Sequence, residues 1–249
     1  MNIKKSKSFN IIKTAFKMLK NRRFSQFINE IQRRLHSTSF VLGLYRDLNV
    51  LFEDPEAKID IHIRHLKQED IHLLMDNGQL KEDDIRLYNY QMSLIKANLP
   101  TCYVAVNNYD EPCFMQSLIG STHNDQIQTH FNGLFPVLKN NEALLEAAYM
   151  RPKFRGLRIM PAAVSRIARD AIRSDANRVI TFIDKTNIPS LMGCKRAGFS
   201  PYIVRKDRWF LFRLKSTFEP LTNDLIQEYN INTGEVSRNQ NISQLTKSI

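Results

Sequence analysis

The sequence has no long apolar run. Its longest stretches free of Asp, Glu, Lys and Arg are about 13 residues, as from Ala97 to Tyr109, whereas a membrane-spanning helix needs about 20 apolar positions. No transmembrane segment is expected. Cysteine is scarce as well: Cys102, Cys113 and Cys194 cannot all pair with one another, and none has the Cys-x-x-Cys spacing of a zinc or redox site. The six histidines, His36, His62, His65, His72, His123 and His130, show no metal-ligand spacing, so no metal is expected. Acidic residues are missing from the start of the chain. Residues 1–36 hold ten Lys and Arg against Glu30 alone, a net +9 of the total +11. The basic character therefore belongs to one segment and is not a nucleic-acid footprint of the whole molecule. At 43% apolar and 24% charged residues over 249 positions, the composition excludes a disordered chain. With reduced cysteines the chain reads as cytoplasmic, peripheral to a membrane if the basic segment meets lipid.

Within that segment Phe9, Ile12, Phe16 and Leu19, then Phe24, Phe27, Ile28, Ile31 and Leu35, recur at three- and four-residue spacing. This is the period of amphipathic helices with basic outer faces. Three uses stay open: packing on the following domain, contact with anionic lipid or an acidic partner, or a cleavable presequence. Ser37 to Glu56 reads as a continuing helix and linker that ends at Asp54-Pro55. Residues 1–57 are thus expected to be a basic helical extension, 58–215 a domain, and 216–249 a polar tail.

Across the domain, Ile59, Ile61 and Ile63 alternate with polar residues as in a strand. Helical spacing follows from Gln68 to Met75 and from Asp83 to Ala97, the second through Ile85, Tyr88, Met92 and Ile95. Cys102 to Val106 and Phe114 to Ile119 flank strong turn residues and predict a hairpin. A polar connection leads to a strand at Ala143 to Met150, and Ile159 to Ile172 is a helix with Pro161 in its first turn. Val179 to Ile183, Ser190 to Ala197, and a closing strand pair at Tyr202 to Val204 and Trp209 to Leu214 complete the order.

Residues 146–199 carry the chemistry. A strand ends at Met150-Arg151-Pro152, a turn follows through Arg158, and a helix begins, so N–H groups at the helix start face the turn. Such a turn suits a phosphate, and Arg155 and Arg158 add positive charge. Pro152-Lys153-Phe154-Arg155-Gly156, with Asn187, Ser190, Gly198 and Phe199 at their offsets downstream, resembles the GNAT superfamily of acyl-CoA-dependent N-acyltransferases. The resemblance covers about residues 58–215.

It implies an α/β fold with a mixed, mostly antiparallel sheet flanked by helices. It also implies transfer of an acetyl or other acyl group from acetyl-CoA or another acyl-CoA to a small-molecule or protein amine. Met150, Arg155, Gly156, Leu157, Arg158, Ile159, Met160, Asn187 and Ser190 would then hold the donor. Glu146 would accept the amine proton, unless it is an edge-facing or salt-bridged carboxylate. Cys194, where many members have Tyr, would protonate the leaving thiolate, unless it is a small core residue. The family signature Gln/Arg-x-x-Gly-x-Gly/Ala begins at Arg155 but carries Arg158 and Met160 in place of its small residues. Two rivals stand beside this reading: an N-acyl amino acid synthase type fed by acyl carrier protein, and a GNAT-fold binding module without catalysis. His123 or His130, in the connection that shapes the family's acceptor pocket, would touch substrate or lie solvated in a loop.

Overall fold

The computed structural model describes residues 24–75, 82–97, 99 and 102–234. In chain order the elements are α1 (Phe24–Leu35), β1 (His36–Asp47), β2 (His62–His65), α2 (Gln68–Met75), α3 (Glu82–Lys96), β3 (Cys102–Val106), β4 (Pro112–Gly120), α4 (Asn124–Phe131), β5 (Glu142–Met150), α5 (Ile159–Asp170), β6 (Arg178–Asp184), α6 (Ile188–Arg196), β7 (Ser200–Phe210), β8 (Arg213–Glu219) and α7 (Asn223–Asn232). They fall into two units: residues 24–40 with Arg205–Phe218, and Val41–Val204 with residues 219–234. The apolar positions Phe9, Ile12, Phe16 and Leu19 and residues 235–249 lie outside the described residues.

In the larger unit the strand order is β2-β3-β4-β5-β6-β1-β7. All the neighbours with a described register are antiparallel except β5 and β6, which run parallel. Pro112 to Ile119 of β4 are all buried, as expected of a strand covered on both faces. Helix α5 packs on β2, β3 and β4, and α3 packs on β5. Ala162, Ala163, Ile167 and Ala168 are fully buried on α5. Their small side chains let the helix approach the sheet closely, while each larger apolar side chain removed from water contributes about 1.5–3 kcal/mol.

The structure departs from the sequence reading in several places. The helix expected from Ser37 is instead strand β1, which pairs with β6 from Val41↔Asp184 to Asp47↔Arg178. Val41 to Leu44 are all buried, and a continuous apolar run cannot be told from a buried helix by periodicity. Gly43 marks the close approach: a Cβ there would stand 2.4 Å from Ile203 Cγ2. On α3 the expected Tyr88, Met92 and Ile95 pack on the core, but Asp84, Gln91 and Leu94 are buried beside them and Ile85 is 45% exposed. The alternating Ile59–Ile63 run forms strand only from His62, although Ile61 is buried.

In the connection before β5, Ile127 and Phe131 anchor helix α4. Helix α5 stops at Asp170, and the 3-10 turn Ala171–Ser174 rotates Ile172 outward to 56% exposure. Part of the expected tail is ordered as α7. Its N-cap Thr222 accepts from Leu225 N–H at 3.4 Å, Tyr229 is buried, and Lys185 pairs with Glu228 at 3.0 Å.

Candidate functional site

The parallel pairing of β5 and β6 is short. It runs from Glu142↔Arg178 to Leu144↔Ile180 and goes no further, although β5 continues to Met150 and β6 to Asp184. A bulge in β5 accompanies the separation. Between Met115↔Tyr149 and Ser117↔Glu146, three steps of β5 oppose two of β4, and Ala147 sits at φ 57°. A left-handed alanine costs about 1–2 kcal/mol, and a bulge bends its strand and redirects the neighbouring side chains.

Arg151 N–H donates to Cys113 O at 3.0 Å. The alternation of an antiparallel ladder therefore turns the Met150 N–H to the other edge of β5, the one that β6 has left. On the same strand Glu146 is half-buried, and Tyr90 Oη donates to its Oε1 at 3.2 Å. Glu146 lies opposite Ser117. Gln91 Nε2 donates to Ser117 Oγ at 3.4 Å and to Cys102 Sγ at 3.0 Å. The buried Tyr149 hydroxyl and the Gln91 and Gln116 Oε1 atoms have no hydrogen-bond partner among the described residues. Burial pushes the Tyr149 phenol above its ordinary range, with the Asp84 charge adding to the shift.

The turn after β5 is pinned from beneath. Arg151, 4% exposed, donates through Nη1 to Glu111 Oε1 and Pro112 O, both at 2.9 Å, and lies over the Phe154 ring. Lys153 also pairs with Glu111. Burial alone would push the Glu111 carboxyl up, but hydrogen bonds from Lys153 and Arg151 outweigh it and hold it below the ordinary range. Gly156 at φ 81° and Arg158 at φ 56° turn the chain into α5.

No side chain caps α5, and Pro161 has no N–H, so its first turn offers the N–H groups of Ile159 and Met160. The left-handed φ at Arg158 explains why glycine is usual there. The bulk of Met160 is accommodated across the helix pair: a Cβ on Gly193 of α6 would stand 2.9 Å from Met160 Sδ. Arg155 is engaged by Asp84, so the exposed Arg158 is the cation of this turn that no ion pair holds among the described residues.

Because β5 and β6 are parallel, Met150, the start of α5, and Asn187 with Ser190 lie at the same, C-terminal end of the two strands. Ligands of open α/β sheets bind at that end. Asn187 caps α6, its Oδ1 accepting from Ser190 N–H at 3.3 Å. Cys194 is set apart from this group. Its side chain is 2% exposed, and burial pushes the thiol up to about 12. That is the environment of a core residue, and its geometry gives no support to proton donation.

His130 lines an open cavity of about 310 Å³ with Ala97, Leu99, Asp125, Gln126 and Thr129. His123 Nδ1 is 3.0 Å from Thr122 Oγ1. Sequence reasoning missed Tyr90, Gln91, Ser117 and the Ala147 bulge. Tyr90 lies off the apolar stripe of α3, and nothing in Glu-Ala-Ala-Tyr marks a left-handed residue.

No family model and no curated protein matches the chain. Among solved structures it is similar to a GCN5-related glucosamine N-acetyltransferase region of a fungal multi-domain GH3 beta-N-acetylglucosaminidase. That match has 11% identity and TM-score 0.51, covering 78% of this chain and 23% of the other. It is also similar to a GNAT-family acetyltransferase from Colwellia psychrerythraea, with 14% identity and TM-score 0.45 over 72% of this chain and 58% of that one. A GCN5-related N-acetyltransferase from Sphaerobacter thermophilus matches at 12% identity and TM-score 0.41, over 74% and 56%. The chain spans 56%, 58% and 66% of the length of three of these neighbours, the Colwellia protein being the second. At these identities the likeness is one of fold. The chain has the GNAT fold, as its motifs imply, with a mixed sheet flanked by helices. Among the described residues no three His, Cys, Asp or Glu side chains converge as a metal site would require, and no helix is long and apolar enough to cross a membrane.

Proposed function

We propose that the chain is an N-acyltransferase that moves an acyl group from acyl-CoA to an amine in a ternary complex. One observation carries the reading: the β5–β6 separation leaves the Met150 N–H facing a gap beside the uncapped start of α5. The N–H groups of Ile159 and Met160, with the Arg158 guanidinium, suit the donor's phosphates. Asn187 and Ser190, at the end of β6, suit its amide-bearing arm. The Met150 N–H donates to the thioester oxygen and stabilises the charge that develops there.

The amine nitrogen bonds to the thioester carbon, and the C–S bond breaks. Glu146 takes the proton lost by the nitrogen, directly or through a water. The CoA sulfur leaves as a thiolate and takes its proton from solvent, because Cys194 is buried and a weaker acid than the thiol it would serve.

The test is thiol release from acetyl-CoA and longer acyl-CoAs against a panel of amines, with wild type and Glu146→Gln compared. The reading expects turnover with at least one pair, and a loss of about 10²–10⁴-fold in kcat for the variant. It also expects saturating CoA to raise the melting temperature of the wild type by mass action. Absence of both turnover and any CoA-dependent melting shift would sink it.

A further inference from the structure

The smaller unit carries a feature that acyl transfer does not use. Strands β7 and β8 are joined by the two-residue turn Leu211-Phe212, with φ 46° and 63°. Two left-handed central residues are the pattern of a hairpin turn that ordinarily takes Asn-Gly, because a Cβ is crowded in that conformation. Here both positions hold large apolar residues. They are exposed: Phe210 62%, Leu211 60%, Phe212 48% and, just beyond, Leu214 38%. The turn thus retains apolar bulk at the exposed end of a hairpin despite backbone strain, and none of that bulk serves the core.

The turn is also anchored. Leu211 N–H donates to Leu35 O at 3.0 Å and Phe212 N–H to Arg34 O at 2.8 Å, so the hairpin end satisfies carbonyls in the last turn of α1. Arg33 and Arg34 lie over the Trp209 ring at 5.5 and 5.4 Å. The charge of the unit has one sign. Its residues 24–40 and 205–218 hold seven Lys and Arg against Glu30 and Asp207, a net +5. Asp207 is buried and bonded to Arg205 and Ser216. Arg33, Arg208, Arg213 and Lys215 are exposed around the apolar end. The preceding residues 1–23 add eight Lys and Arg and no acid.

We propose that this hairpin end docks the protein on an anionic lipid bilayer. Phe210, Leu211, Phe212 and Leu214 enter the boundary between headgroups and acyl chains, and the surrounding arginines and lysines meet the lipid phosphates. An apolar tip ringed by cations, with no exposed carboxylate on its hairpin, matches the layering of an anionic membrane surface. A nucleic acid would need a groove or a flat stacking platform, and aliphatic Leu211 and Leu214 at an exposed turn offer neither.

The sole tryptophan, Trp209, neighbours the tip and serves as a reporter. The experiment mixes the full chain with vesicles of phosphatidylcholine containing phosphatidylserine, and with pure phosphatidylcholine vesicles. Co-sedimentation and Trp209 emission are the readouts. Binding to the anionic vesicles, weakened by salt, with a blue shift of emission, is expected. Arg213→Ser with Lys215→Ser should weaken it about 30-fold, at roughly fivefold per charge.

The decisive variant is Leu211→Asn with Phe212→Gly, which installs the preferred turn sequence. It should melt no lower than the parent and yet bind the vesicles about 100-fold more weakly. Undiminished binding by that folded variant overturns the proposal and assigns lipid contact to residues 1–23. No binding by the parent also overturns it, as does tighter binding to duplex DNA or RNA than to the vesicles.

Discussion

Arg158→Gly separates the backbone role of this position from its charge. Arg158 adopts φ 56° with no capping bond from its side chain. Holding an L-residue there costs about 1–2 kcal/mol. Glycine relieves that strain but makes the unfolded chain looser by about 0.5–1 kcal/mol, so the net gain is about 0.5–1 kcal/mol. For a chain of this size each kcal/mol moves the midpoint by about 2–4 °C, and scanning calorimetry should show a rise of about 1–4 °C. The same change removes a cation from the uncapped start of α5. A solvent-screened contact with a phosphate is worth about 0.5–1 kcal/mol, so titration calorimetry should show CoA binding about two- to fivefold more weakly. Arg158→Ala is the control. It loses the charge and keeps the strained φ, so it should weaken CoA binding equally without the rise in midpoint. An alanine variant stabilised as much as the glycine variant would refute the backbone argument, and unchanged CoA affinity in both would refute the phosphate contact.

Cys194→Ala should leave kcat within about twofold and lower stability by about 1 kcal/mol, the usual size of a core change. A thiol reagent should reach Cys194 only after unfolding, since the thiol is fully buried and its thiolate is disfavoured. Gly193→Ala brings a Cβ to 2.9 Å from Met160 Sδ. It should cost about 1 kcal/mol, and Met160→Ala in the same chain should recover much of that, a coupling that a double-mutant cycle measures in denaturant melts. Asp70 accepts from Arg64 at 2.6 and 2.9 Å and from Lys67 N–H at 2.8 Å. Burial pushes its carboxyl up, but these bonds outweigh it and the net shift is downward from 3.8. Its contribution is therefore present above that value and lost as pH falls through the lower folded value, so Asp70→Asn should flatten the acid limb of stability against pH.

The sequence by itself determined the parts of the molecule that depend on near neighbours. The hairpin of β3 and β4, strand β5, the turn after Pro152, and helices α5 and α6 all follow from turn residues, strand-bounded apolar runs and helical spacing within a few positions of one another. The spaced motifs at Pro152–Gly156 and Asn187–Phe199 were enough to name the fold, because a turn and a helix cap are local geometry. Only the tertiary structure decided the rest. Val41–Asp47 of β1 is a strand because β6, far along the chain, completes its ladder. Asp84 and Gln91 face inward on α3 because Arg155, Ser117 and Cys102 wait there as partners, which no hydrophobic pattern can announce. Ala147 and Arg158 are left-handed because the sheet bulge and the turn impose it on residues that would avoid it alone. Cys194 occupies the spacing of a proton donor, but it lies on the inner face of its helix, and the packing around a side chain, unlike its spacing, is a property of the whole fold.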